Sequence, residues 1–126
     1  MSLTQSPVAV MLPIKDAARA QDFYTHLGLP FDGATNEGEL AFRLAGDAQL
    51  VLRVLPDVMP SGNTAMSFRV ADVAAEIVAL EEQGVKFEDY DSPGFTTVDH
   101  VLDSGDMKAA WFLDPDGNVL CLHQPA

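Results

Sequence analysis

Cys121 and His123 stand two residues apart in the run VLCLHQ, so in an extended strand both side chains leave the same face. A thiolate and an imidazole are zinc ligands, and His100 lies within reach in sequence to complete a Cys-His-His set. The plainer reading of the pair is a small buried thiol beside a partly exposed imidazole. The second candidate chemistry is cationic. Only seven residues are Lys or Arg, yet three of them, Arg43, Arg53 and Arg69, share the face that alternation assigns to Ala41, Val51 and Ser67. A guanidinium offers a fork that fits a planar carboxylate or phosphate. The alternative is pairing with local acids such as Glu39. Trp111, with the loop Tyr90–Phe95, supplies either an apolar wall for a ligand or part of the core. His26, four residues after Asp22, reads as a solvated helix residue.

The elements that must position these groups are written twice. Asp16 is followed twelve residues later by Gly28, and Asp72 twelve residues later by Gly84. Each Asp follows an apolar run (VAVMLPIK, AMSFRVA), and each Gly precedes an aromatic, Phe31 or Phe87, by three positions. A period of 56 in a chain of 126 residues implies two structural copies. In the first, a strand over Val8–Ile14 leads to a helix Ala17–Leu27 capped by Asp16 and stopped by Gly28. Strands Glu39–Ala45 and Gln49–Leu55 follow, joined by a Gly46-Asp47 hairpin. In the second, Thr64–Val70 leads to a helix capped by Asp72, with Val73, Ile77 and Leu80 on its apolar face. Strands are expected at Thr97–Leu102, Lys108–Leu113 and Asn118–Gln124, the last two joined by the turn Asp114-Pro115-Asp116-Gly117-Asn118.

Alternation then sorts the strands into two faces. Val10, Leu12, Ile14, Leu40, Phe42, Leu44, Leu50, Leu52, Val54, Met66, Phe68, Val70, Leu120 and Leu122 face the helices. Ala9, Met11, Ala41, Arg43, Val51, Arg53, Ala65, Ser67, Arg69, Val119, Cys121 and His123 form the opposite face, too mixed for a packed core and suited to a cavity wall.

The segments IKDAARAQDFYTHLGL, FRVADVAAEIVALEEQGVKF and WFLDPDGNVLCLHQ resemble the vicinal oxygen chelate superfamily, which holds glyoxalases, bleomycin-resistance proteins and ring-cleaving dioxygenases. The resemblance covers nearly the whole chain. It implies an α+β fold of two βαβββ modules, a curled and mostly antiparallel sheet around a cleft. One domain spans 1–126, with module one at about 6–56 and module two at about 63–125. It also implies a homodimer. The family's enzymes carry a divalent metal, and the positions matching its ligands here are Ala9, Ala65, Cys121 and Val51 (Leu52 in the other register). Two alanines and an aliphatic residue offer no donor atom. The expected cofactor complement is therefore none, with zinc or another divalent metal at His100, Cys121 and His123 as the alternative.

Composition narrows the partners. A net charge of −12 excludes nucleic acid and anionic membrane surfaces as partners. No run approaches the apolar length of a membrane span. One cysteine and no basic, apolar leader fit a cytoplasmic location. The function expected is binding of an unknown small organic molecule, as drug or metabolite sequestration. The alternative is a small-metabolite enzyme (lyase, isomerase or dioxygenase-like) with a displaced metal or a metal-free acid–base site. In either case the cleft residues are Arg43, Arg53, Arg69, Trp111, Cys121 and His123.

Overall fold

The structure, a computed structural model, describes residues 2–126. The chain forms two compact units, one ending at Pro60 and one spanning Ser61–Ala126. The first holds β1 (Ala9–Ile14), α1 (Ala17–His26), β2 (Phe31–Ala34), β3 (Leu40–Arg43) and β4 (Gln49–Val54). The second holds β5 (Thr64–Arg69), α2 (Val73–Glu82), two short pairs of strand residues β6 (Asp91–Ser92) and β7 (Phe95–Thr96), then β8 (Leu102–Asp103), β9 (Met107–Leu113) and β10 (Val119–Pro125).

Each unit builds its own open four-stranded sheet, ordered β1-β4-β3-β2 in one and β5-β10-β9-β8 in the other. The first and last strands of each unit pair in parallel, and the remaining pairs are antiparallel. The architecture is the expected α+β pair of modules.

The repeated Asp and Gly do the same work in both copies. Asp16 Oδ1 accepts from Arg19 N at 3.1 Å, and Asp72 Oδ1 accepts from Ala75 N at 3.2 Å. Each satisfies an amide of the first turn that has no carbonyl partner within the helix. Gly28 and Gly84 take φ of +96° and +91°, a left-handed conformation that a Cβ would oppose. The aromatics are equivalent too. Phe31 registers with Phe42, and Phe87 bridges to Phe112, with ring centroids 5.3 and 5.2 Å apart.

The helix-facing residues form the core. Leu12, Ile14, Leu40, Phe42, Leu50, Leu52, Met66, Leu120 and Leu122 are buried, and Tyr24 of α1 lies against Phe42 at 5.9 Å. Val10, Leu44, Phe68 and Val70 are only half-buried and Val54 is exposed, while Ala41, Val51 and Cys121 of the opposite face are buried as well.

Two elements differ from the sequence reading. β2 is a strand of four residues, FDGA, whose Asp and Gly hide it from an alternation search. The strand expected over Thr97–Leu102 is instead a tight two-residue turn. Val98 and Val101 exchange backbone hydrogen bonds of 2.8 and 3.0 Å, while Asp99 and His100 take φ of +50° and +72°. Positive φ at both central residues suits a hairpin turn, and Asp and His tolerate it better than branched residues do. His100 is thereby placed in a turn rather than in a strand.

Candidate functional site

The face of the second sheet away from α2 gathers most of the candidate groups. In register, Ser67 of β5, Cys121 of β10 and Trp111 of β9 form one row. Arg69, His123 and Ala109 form the next. Ser67 Oγ and His123 Nδ1 are 2.6 Å apart and share a hydrogen bond. Cys121 is buried, its Sγ 3.3 Å from the Leu122 carbonyl. Burial pushes its thiol pKa up, against smaller lowering effects of hydrogen bonds from Ser67 and the Ala110 backbone. A buried thiol with a raised pKa is a poor nucleophile.

Trp111 anchors an aromatic cluster. Its Nε1 donates to Thr64 Oγ1 at 3.1 Å, which fixes the indole over the sheet. Tyr90 meets it edge-on at 5.7 Å and Phe95 lies tilted at 5.2 Å, with Tyr90 and Phe95 themselves 5.2 Å apart. Such edge-to-face and tilted contacts suit the ring quadrupoles. The backbone holds this group in place, since Glu88 N donates to the Trp111 carbonyl and Thr97 N to that of Tyr90. Tyr90 has its phenol pKa raised, first by burial and then by the nearby charges of Glu88 and Cys121. The Tyr90 ring meets Trp111, which registers with Cys121 in the Ser67–Cys121 row.

The arginines divide. Arg53 Nε lies 2.7 Å from Glu39 Oε2, the local pairing weighed from sequence, and Arg43 Nε lies 3.9 Å from Asp32 Oδ1. Both belong to the first unit. Arg69 is exposed at the end of β5 and has no hydrogen-bond or ion-pair partner among the described residues.

His100 is turned elsewhere. Its Nδ1 lies 3.0 Å from Asp89 Oδ2 and its Nε2 3.5 Å from Glu81 Oε2, beside the end of α2, and its ring lies 6.2 Å from Phe87. Phe87 packs on Phe112, which points to the opposite face from Cys121. The structure does not bring His100 to Cys121 and His123. Among the described residues no three His, Cys, Asp or Glu side chains are gathered to hold a metal ion. The side chains of Ala9, Val51 and Ala65, which the resemblance sets at the ligand positions, carry no donor atoms.

The residue that the sequence reading left without a role is Ser67, whereas Tyr90 and Phe95 lie against Trp111 as the apolar-wall reading expected. Ser67 was assigned to the correct face, but its contact with His123 depends on β5 pairing with β10, which no local pattern reveals. A surface pocket of about 580 Å³ also opens on the helix side of this unit, lined in part by Asp72, Val73, Val98, Lys108 and Gln124. None of the sequence-predicted site residues lines it. Gln124 Oε1 accepts from Val73 N at 2.9 Å there, which gives it a structural role. No helix among the described residues is long and apolar enough to cross a membrane.

Comparison with known proteins extends this picture. The chain is similar to an antibiotic-binding protein from a Streptomyces species at 29% identity, with 96% of each chain covered and a TM-score of 0.70. A glyoxalase family protein from Bacillus anthracis shares 16% identity over 100% of this chain and 99% of that one, with a TM-score of 0.77. A fosfomycin resistance protein from Listeria monocytogenes shares 16% identity over 96% and 91%, with a TM-score of 0.72. The latter two likenesses are of fold alone. None of the curated proteins matches the chain in sequence. The family model for the glyoxalase, bleomycin resistance protein and dioxygenase group matches residues 6–122, and the chain belongs to that superfamily.

Proposed function

We propose that this protein binds a small, ring-bearing organic molecule without a metal, as a drug- or metabolite-sequestering protein, on the sheet face of its second unit. The observation that carries the reading is the Tyr90–Phe95–Trp111 wall standing over the Ser67–Cys121 row. Apolar rings beside a few polar groups are the usual make-up of a small-molecule site. Antibiotic binding by the Streptomyces relative supports it. The absence of donor atoms on the side chains of Ala9, Val51 and Ala65 argues against the family's metal centre. Homodimerisation and a cytoplasmic location complete the proposal, the first checked by sedimentation equilibrium and the second by cell fractionation.

Native mass spectrometry of freshly purified protein, with elemental analysis and a thermal-shift screen of aromatic antibiotics, tests the reading. Stabilisation that is lost in Trp111→Ala, with no stoichiometric metal, is the expected result. One tightly held metal per chain, lost on Cys121→Ser or His123→Ala, would overturn the metal-free reading.

A second reading rests on the Ser67–His123 contact of 2.6 Å. A polarised imidazole beside a ligand can exchange a proton with it, which would make the protein a metal-free acid–base enzyme. Turnover abolished by His123→Ala with ligand binding intact is its signature.

A further inference from the structure

We infer that the ligand of this face carries an anionic group, a carboxylate or its equivalent, which Arg69 receives while the ring system lies against Trp111 and Tyr90. The inference rests on the binding reading above and adds to it the polarity and orientation of the ligand.

Three observations carry it. Arg69 alone of the three candidate arginines has no partner among the described residues, whereas Arg53 is held by Glu39 and Arg43 approaches Asp32. An unpaired guanidinium keeps both arms of its fork for an incoming anion. Second, register fixes the spacing. Arg69 lies beside His123 and Trp111 beside Cys121, so the two Cα atoms are two strands across and two residues along. With strands about 4.8 Å apart and a rise of about 3.3 Å per residue, the separation is roughly 12 Å, with both residues on the same face of the sheet. A bicyclic ring bearing one acidic group spans such a gap. Third, the opposite end of the site is acidic. The backbone N of Glu88 donates to the Trp111 carbonyl at 2.8 Å, which sets an acidic residue beside the aromatic wall, and its charge favours placing the ligand's anion at the other end, toward Arg69.

The net charge of −12 acts the other way at long range. Screening confines that repulsion to within about 8 Å of each charge at physiological salt, so the short-range contact decides preference inside the site.

The test uses three probes with one ring and different heads: 2-naphthoate, 2-naphthylmethylamine and 2-naphthalenemethanol, titrated by calorimetry against the full chain. The carboxylate is expected to bind about tenfold more tightly than the other two, the order of one charge-assisted forked contact. In Arg69→Ala the three probes should converge, with the alcohol unchanged, and Arg69→Lys should restore part of the preference. Arg69 is exposed, so these variants leave the core untouched. If the amine binds as well as the carboxylate, or if Arg69→Ala keeps the preference, the anion inference falls while the binding reading stands. If no probe binds the wild-type chain, the ring-binding reading itself falls, and this inference with it.

Discussion

Removal of the Asp114 carboxylate should be the most costly single change in the hairpin that carries Trp111, Cys121 and His123. Asp114 is only 5% exposed. Its Oδ1 accepts from the backbone N of Asp116 at 2.9 Å and of Asn118 at 2.8 Å, and its Oδ2 accepts from Asn118 Nδ2 at 2.8 Å. Hydrogen bonds to a charged group contribute about 1.5–3 kcal/mol each, so three taken independently would sum to about 5–9 kcal/mol. They share one carboxylate, and a loosened turn readmits water, which brings the expected loss for Asp114→Ala to about 3–4 kcal/mol. Asp114→Asn keeps an oxygen for the two amides but sets one NH₂ against another at Asn118, costing about 1–2 kcal/mol. The exchange Asp114→Asn with Asn118→Asp restores a donor facing an acceptor and should recover most of that loss. Urea unfolding followed by Trp111, the chain's single tryptophan, reports on the unit that holds the turn. The midpoint should shift at constant slope. A loss below about 1 kcal/mol for Asp114→Ala, or no coupling in the exchanged pair, would refute this account of the turn.

The two helix caps give a matched pair: Asp16→Ala and Asp72→Ala should each cost about 1 kcal/mol in urea unfolding, and the Asn variants only a few tenths. Breaking the Arg53–Glu39 pair, half-exposed on the arginine side and one-fifth exposed on the glutamate side, with Arg53→Ala should cost about 1 kcal/mol despite its short distance, since water still reaches and screens it. Alkaline conditions should weaken the second unit. Cys121 and Tyr90 both have pKa values raised in the folded state, so their contribution is whole below the unfolded values, about 8.5 and 10, and is lost as pH rises through the folded ones. Urea midpoints measured from neutral to alkaline pH should fall, and fall less in Cys121→Ala. An unchanged slope in that variant would contradict the assignment.

The sequence announces its punctuation more clearly than its pairing. Asp16, Gly28, Asp72 and Gly84 locate both helices because capping and left-handed termination are local events written in residue type. The Asp114–Asn118 turn is legible for the same reason. β2 is not, because Asp32 and Gly33 interrupt its alternation and tertiary pairing with β3 overrides their low strand propensity. The Asp99-His100 turn is missed because neither residue is a glycine, although both take positive φ. At the candidate site, alternation assigns Ser67, Arg69, Cys121 and His123 to one face. Their adjacency depends on the parallel pairing of β5 with β10, a long-range choice that no local pattern specifies. The arginines illustrate the same limit, since Glu39 and Asp32 reach Arg53 and Arg43 across neighbouring strands while Arg69 meets no such acid among the described residues.

The parallel pairing of each unit's first and last strands has a kinetic consequence. Ser67 and Cys121 are neighbours in the sheet although 54 positions separate them in the chain, whereas Leu113 and Val119 are joined by a short turn. Closing a long loop costs more entropy than closing a short one, and distant pairings slow folding. The β9–β10 hairpin therefore forms early and carries Trp111, Cys121 and His123 with it, while β5 brings Ser67 and Arg69 only when it docks. A chain caught before that step would own half of the face and none of its cationic end. Ligand capture would thus begin only once the slowest contact has formed.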